Sequence, residues 1–277
     1  MQMSDYTSLW QGYDFSGLSA ALSRIQEITR PAMEALQNIQ STLQPIVEAL
    51  EQYKPKVAEI GQALLQATRH LSAIRKMGEA QFVFWDYMTD EFVDAIVDAK
   101  NINKTLREQL IRDRFSAVNK TIDKTLSSAV MQKHKRLYSQ SVNAFRSGDS
   151  DLAVTGFTSV FDGLLADTSG NPTSRLGPRI DAIKQKLDND ELLNHDEYAM
   201  ITLAMTLEKT LDSFSAPSDF KGKEPKGLNR HWIAHGRSTR KKTKLDCVKM
   251  INLIYGLLLI GDLESTASLN SSCGNGE

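Results

Sequence analysis

Apolar residues in the first third of the chain recur at alternating steps of three and four: Leu36, Ile39, Leu43, Ile46, Leu50, Tyr53, Val57, Ile60, Leu64, Ala67, Leu71 and Ile74. This is a heptad seam with Leu or Val at a and mostly Ile at d, and it predicts a helix that packs along one stripe. Pro45 and Pro55 fall inside it. A proline in a helix interior costs about 3 kcal/mol through its missing donor and its steric clash. The segment therefore reads either as a kinked helix packed on its own chain or as an oligomeric stalk. Its e and g positions hold few complementary charges to fix a partner.

The rest of the chain keeps a helical period. FVFWDYM, residues 82–88, is an aromatic cluster suited to a packed junction. DEFVDAIVDA has amphipathic spacing, and residues 101–147 predict further helix with Leu106, Leu110, Ile111, Phe115, Val118, Ile122 and Leu126 on one side. The turn Ser147–Ser150 offers an N-cap to LAVTGFTSVFDGLLAD. That helix is apolar nearly all round, so it predicts a buried element, with Asp162 as its one awkward residue. A loop TSGNPTSRLGP, a helix from about Arg179 to Leu187 and another over 195–214 follow. SAPSDFKGKEPKG reads as a basic loop, the stretch from Thr243 as an apolar helix, and the tail from 265 to 277 as too polar to fold. No segment alternates with period two, so the predicted class is all-α. Three regions are expected: a helical N-terminal segment 1–100, a helical domain 101–264 and a disordered tail 265–277.

Composition narrows the picture. The chain of 277 residues is 41% hydrophobic and 24% charged, ordinary for a globular protein. Its two cysteines, Cys247 and Cys273, form no disulfide framework and no CxxC pair. The opening MQMSDYTSLWQGYDF has neither a basic nor an apolar run, so no secretion signal is expected there. The apolar run Leu253–Ile260 is far short of a bilayer span. The expectation is a cytoplasmic protein with no membrane partner. Net charge is only −1, yet residues 220–244 hold nine lysines and arginines against a single glutamate, a net +8. The remainder of the chain carries −9. A basic patch on an acidic protein concentrates positive potential where a polyanion binds.

That patch surrounds GLNRHWIAHGR, residues 227–237, which holds two of the five histidines. Arg230, His231 and His235 suit metal-free RNA cleavage. Histidine populates both its acid and base forms near neutral pH. Arginine stays charged and grips phosphate with a planar fork. On a regular helix His231 and His235 share a face, while Arg230 lies roughly 140° from His235. Convergence then needs an irregular helix or two copies facing each other. Other readings stand beside this one. HxxxH on a helix can hold zinc, but Trp232 stands where a metalloprotease has Glu, and no further ligand cluster is evident, so no metal is expected. No Ser or Cys lies in a nucleophile elbow. A purely structural reading has Arg230 and the histidines capping a helix and pairing with carboxylates such as Asp162.

NRHWIAHG resembles the signature of the HEPN superfamily, an arginine followed after four to six residues by a histidine. Arg230, His231, His235 and Gly236 match it position by position. SVFDGLL, LEKTLDSF and the last apolar helix stand around it in the same order over roughly residues 105–262. The resemblance implies an α-helical bundle that forms a homodimer or higher oligomer with two motifs at a shared cleft. It implies a metal-independent endoribonuclease without a cofactor, of the kind found in toxin, abortive-infection and antiphage systems, where a regulatory or antitoxin partner is common. Arg230, His235 and His231 would then be catalytic. Asn229, Lys221, Lys223, Arg237, Arg240, Lys241 and Lys242 would hold RNA, and Asp162 would support the site. The alternative is a non-catalytic RNA- or nucleotide-binding scaffold that assembles through its N-terminal helices.

Overall fold

The computed structural model describes residues 69, 71–83, 89–187 and 197–273. Among them every regular element is helical, which makes the fold all-α. The heptad seam up to Ala67, residues 84–88 of the aromatic cluster and the last four residues lie outside the described residues. In chain order the helices are 71–79 (α1), Asp90–Val97 (α2), Ile102–Arg112 (α3), Ser116–Ser127 (α4), a 3-10 turn at Val130–Lys133, Lys135–Ser147 (α5), Ser150–Ser169 (α6), Leu176–Leu187 (α7), Glu197–Phe214 (α8), Arg230–Ala234 (α9) and Lys244–Cys273 (α10). No helix among the described residues is long and apolar enough to cross a membrane.

Helix α6 organises the bundle. It packs against α10, α5, α7 and α9, so the apolar surface seen all round it in sequence is consumed from several sides. Ala153, Val154, Phe157, Val160, Phe161, Leu164 and Leu165 are all fully buried. Burying each such side chain contributes about 1.5–3 kcal/mol. Phe161 meets Phe214 of α8 edge to face at 5.0 Å. Gly156 lets α5 come close, because a Cβ there would stand 2.1 Å from Ser141 Oγ. Asp149 caps α6 by accepting the Leu152 N–H at 3.1 Å. Residues Ala73, Met77, Phe82 and Val83 belong to the same buried cluster as α6 and α10. The end of the N-terminal segment thus shares one core with the rest, and Asn252 of α10 donates to the Val83 carbonyl at 3.2 Å.

Two sequence expectations need correction. Residues 101–147 are not one continuous run. Arg114 and Phe115 take left-handed φ of 51° and 58°, and Asp113 caps the restart by accepting the Ala117 N–H at 2.7 Å. The turn aims Phe115 at Phe145 of α5, edge to face at 6.5 Å. Ile111, expected on the apolar side, is 58% exposed. Helix α10 runs through Cys273, into the stretch expected to be a polar tail. Once a long helix exists, adding residues needs no new nucleus, so Ser and Asn can extend what they would not start.

Candidate functional site

The short helix α9 is built by local capping. Asn229 Oδ1 accepts the Trp232 N–H at 3.2 Å, and its Nδ2 donates to the Ala216 carbonyl at 2.9 Å. Both ends of this amide are engaged and the residue is buried, so Asn229, expected at the RNA, has its amide taken up in building the helix. The helix lasts five residues. It stops because Gly236 turns left-handed, φ 63°, while the Arg237 N–H closes back on the Trp232 carbonyl at 2.8 Å. A side chain at Gly236 would strain that turn.

Arg230 opens α9 and faces α6. Its Nε donates to both oxygens of Asp162, at 3.0 and 3.1 Å, and its Nη2 to Oδ2 at 2.8 Å. The two side chains are 24% and 27% exposed. The fork is thereby fixed in direction, and Nη1 takes no part in the pair. The awkward Asp162 of the sequence is therefore the anchor of the motif arginine. His231 and His235, four apart, present parallel rings with centroids 6.4 Å apart. His231 is half-buried and His235 exposed. Burial, the charge of Arg230 and the neighbouring His235 push the pKa of His231 below the ordinary histidine value, outweighing its bond to the Ser215 carbonyl. The shift favours the neutral form, the one that accepts a proton.

Residues 215–229 wrap this helix as a collar. Ser215 reaches His231 through its carbonyl, Ala216 reaches Asn229, and Ser218 Oγ accepts Trp232 Nε1–H at 2.8 Å. Phe220 packs against Trp232 and His235, both at 5.5 Å, with the Arg237 guanidinium 5.0 Å above its ring. Glu224 ties the collar to the segment after α9. It accepts from Ser238 Oγ, from the backbone N–H of Thr239 at 2.8 Å and of Arg240 at 3.0 Å, and from Lys242 Nζ at 3.4 Å. At the collar's far end Gln81, at the close of α1, bonds both backbone groups of Leu228.

The basic residues divide into two groups. Lys221, Lys223, Arg237 and Lys241 are exposed on the two segments that flank α9. Lys242 is buried against Glu224 and its N–H donates to Asp151 Oδ1 at 3.0 Å. Arg240 grips Asp246 at 3.0 and 3.3 Å. These two cations, expected on the RNA, are paired with carboxylates of the fold. Asp246 and Thr243 in turn cap α10 reciprocally. Gln81, Ser215, Phe220 and Glu224 escaped the sequence reading. Only Glu224 left a trace there, as the lone acid in a basic run.

Glu224 carries a pH dependence of known sign. Burial alone would raise its pKa, but the Ser238, Thr239 and Arg240 donors and the charge of Lys242 bring it from 4.5 down to about 2. A depressed carboxylate stabilises the fold above its ordinary pKa and loses that contribution as pH falls towards the folded value. Amide exchange at Thr239 and Arg240, relative to the intrinsic rate, is expected to accelerate as the pH drops from 4.5 towards 2. Glu224→Gln should show the same acceleration at pH 7. Unchanged protection in that variant would mean the clamp does not hold the segment.

Among the described residues no group of three or more His, Cys, Asp or Glu is placed to hold a metal ion. No family model, no curated protein and no solved structure matches this chain. The chemistry of the site therefore rests on its own residues.

Proposed function

We propose that the protein is a metal-independent endoribonuclease of the HEPN kind, acting as a homodimer in phage defence or as a toxin. One observation carries this reading: an arginine clamped by a carboxylate stands one residue from a parallel histidine pair, one ring half-buried, the other exposed. The structural alternative explains the Arg230–Asp162 pair and the His231 bond to Ser215, but gives no reason for an exposed His235 held parallel to His231.

In the proposed reaction neutral His231 takes the proton of a ribose 2′-OH as that oxygen attacks phosphorus. The O2′–P bond forms and the P–O5′ bond breaks. His235 gives a proton to the departing O5′. Arg230, oriented by Asp162, balances the charge on the phosphorane. The products are a 2′,3′-cyclic phosphate and a 5′-OH. Lys221, Lys223, Arg237 and Lys241 supply the backbone contacts, whose affinity falls steeply with salt. A dimer would set two such motifs at one cleft.

The test is cleavage of single-stranded RNA in EDTA by wild type and by His235→Ala, with the product ends identified. Cyclic-phosphate ends from wild type alone are expected, together with growth arrest on overexpression that His235→Ala relieves. Equal cleavage by the two proteins would sink the reading.

A further inference from the structure

His235 lies just past the end of α9, exposed, on a residue whose backbone has already left the helix, φ −92° and ψ 10°. A side chain there has few neighbours to choose its rotamer. Phe220 is in contact with it, edge to face at 5.5 Å and 74°. Three further observations concern Phe220 itself. Its backbone is left-handed, φ 58°, a conformation rare for a bulky residue and held only where surrounding contacts over-determine it. Those contacts are on both sides. Ser218 Oγ accepts the Phe220 N–H at 3.2 Å while also taking Trp232 Nε1–H, and Glu224 pins the collar four residues on. The ring then meets three partners at once: Trp232 at 5.5 Å, His235 at 5.5 Å and Arg237 at 5.0 Å. Packing over Trp232 alone would explain a buried apolar side chain. It does not explain a strained backbone that places an aromatic edge against an exposed histidine.

We propose that Phe220 is a positioning residue that sets the orientation of the His235 imidazole, with Arg237 stacked on its outer side. The kinetic side of this inference rests on the ribonuclease reading; the structural side does not. The collar then acts as a jig: Ser215 fixes His231, Phe220 fixes His235, and Asp162 fixes Arg230 from the opposite side. An imidazole that must protonate one oxygen of a phosphodiester needs a defined angle as well as a place, and a misplacement of about 1 Å can cost on the order of 100-fold in rate.

The experiment uses the full chain with histidine-labelled NMR alongside kinetics on a short single-stranded RNA of mixed sequence. Phe220→Ala is expected to lower kcat by on the order of 100-fold with KM little changed, and to turn His235 from one χ1 rotamer into an average, read from its Hα–Hβ couplings and assigned with His235→Asn. Phe220→Tyr, which keeps the ring, should restore both. Should Phe220→Ala fail to fold, Phe220→Leu removes the ring while keeping apolar bulk, and the same averaging and loss are expected. An unchanged single His235 rotamer in a folded ring-less variant would overturn the proposal, whatever the kinetics, because a loss of rate alone is what damage to the Trp232 packing would give. If wild type cuts no RNA, the ribonuclease reading fails while the couplings still decide whether Phe220 orients His235.

Discussion

Arg230→Lys should, on the proposed ribonuclease reading, lose RNA cleavage almost as completely as Arg230→Ala, on the order of 10³-fold in kcat, although it keeps the charge. The reason is the fork. Arg230 spends Nε and Nη2 on the two oxygens of Asp162 and still has Nη1 to offer a phosphate. A lysine ammonium is a point charge that cannot hold a carboxylate in two places and reach past it in a fixed direction. Asp162→Asn should fall between, since an amide oxygen still accepts from Nε while its NH2 group meets the Nη2 donor unfavourably. Stability must be separated from chemistry here. Removing Arg230 leaves the Asp162 carboxylate, only 27% exposed, without its donors, at a cost of about 1–3 kcal/mol. Denaturant curves give that part, and kcat on folded protein gives the other. If Arg230→Lys cleaved like wild type, the arginine would be a structural partner of Asp162 and the phosphorane would have to be steadied elsewhere.

What the sequence disclosed depends on the distance over which each contact acts. The period of 3.6 is a local property, so α6, α8 and α10 were legible, as was Asp162, because a carboxylate in a helix apolar all round has to find a cation. The break at residues 113–115 was not legible. Apolar spacing continues through Leu110, Phe115 and Val118, and only the left-handed pair Arg114 and Phe115 shows that the helix has stopped. Charge was misleading for a related reason. Lys242 and Lys241 are adjacent in a basic run, yet one is buried and the other exposed, and the difference is set by Glu224, eighteen positions away. The collar was read as a basic loop because its contacts to α9 use backbone carbonyls and a ring edge, which leave no compositional mark. The candidate motif itself stood out, since Arg230, His231 and His235 are local in sequence. What holds them is not.

Gln81 is the strongest case of that kind, and Gln81→Leu should destabilise the protein by about 2–5 kcal/mol. Gln81 is buried at a left-handed turn, φ 58°. Its Nε2 donates to the Leu228 carbonyl at 2.7 Å and to Ser213 Oγ at 3.2 Å, and its Oε1 accepts the Leu228 N–H at 2.6 Å. The amide imitates a backbone partner for one residue of the collar. Leucine matches glutamine in bulk but leaves a donor and an acceptor buried without partners, and each such group costs about 1–3 kcal/mol. The site next to it has no slack, since a Cβ on Gly227 would lie 2.5 Å from Gln81 Oε1. Leu228 immediately precedes Asn229, the cap of α9, so loosening it loosens the helix that carries Arg230 and His231. Gln81→Glu should fall in between, because a carboxylate can accept the N–H but repels the carbonyl. Unfolding in urea, followed by near-ultraviolet signal from the tryptophans, reads the loss. A Gln81→Leu protein within about 1 kcal/mol of wild type would mean that water bridges Leu228 instead. The end of the N-terminal segment would then be packed beside the collar without holding it.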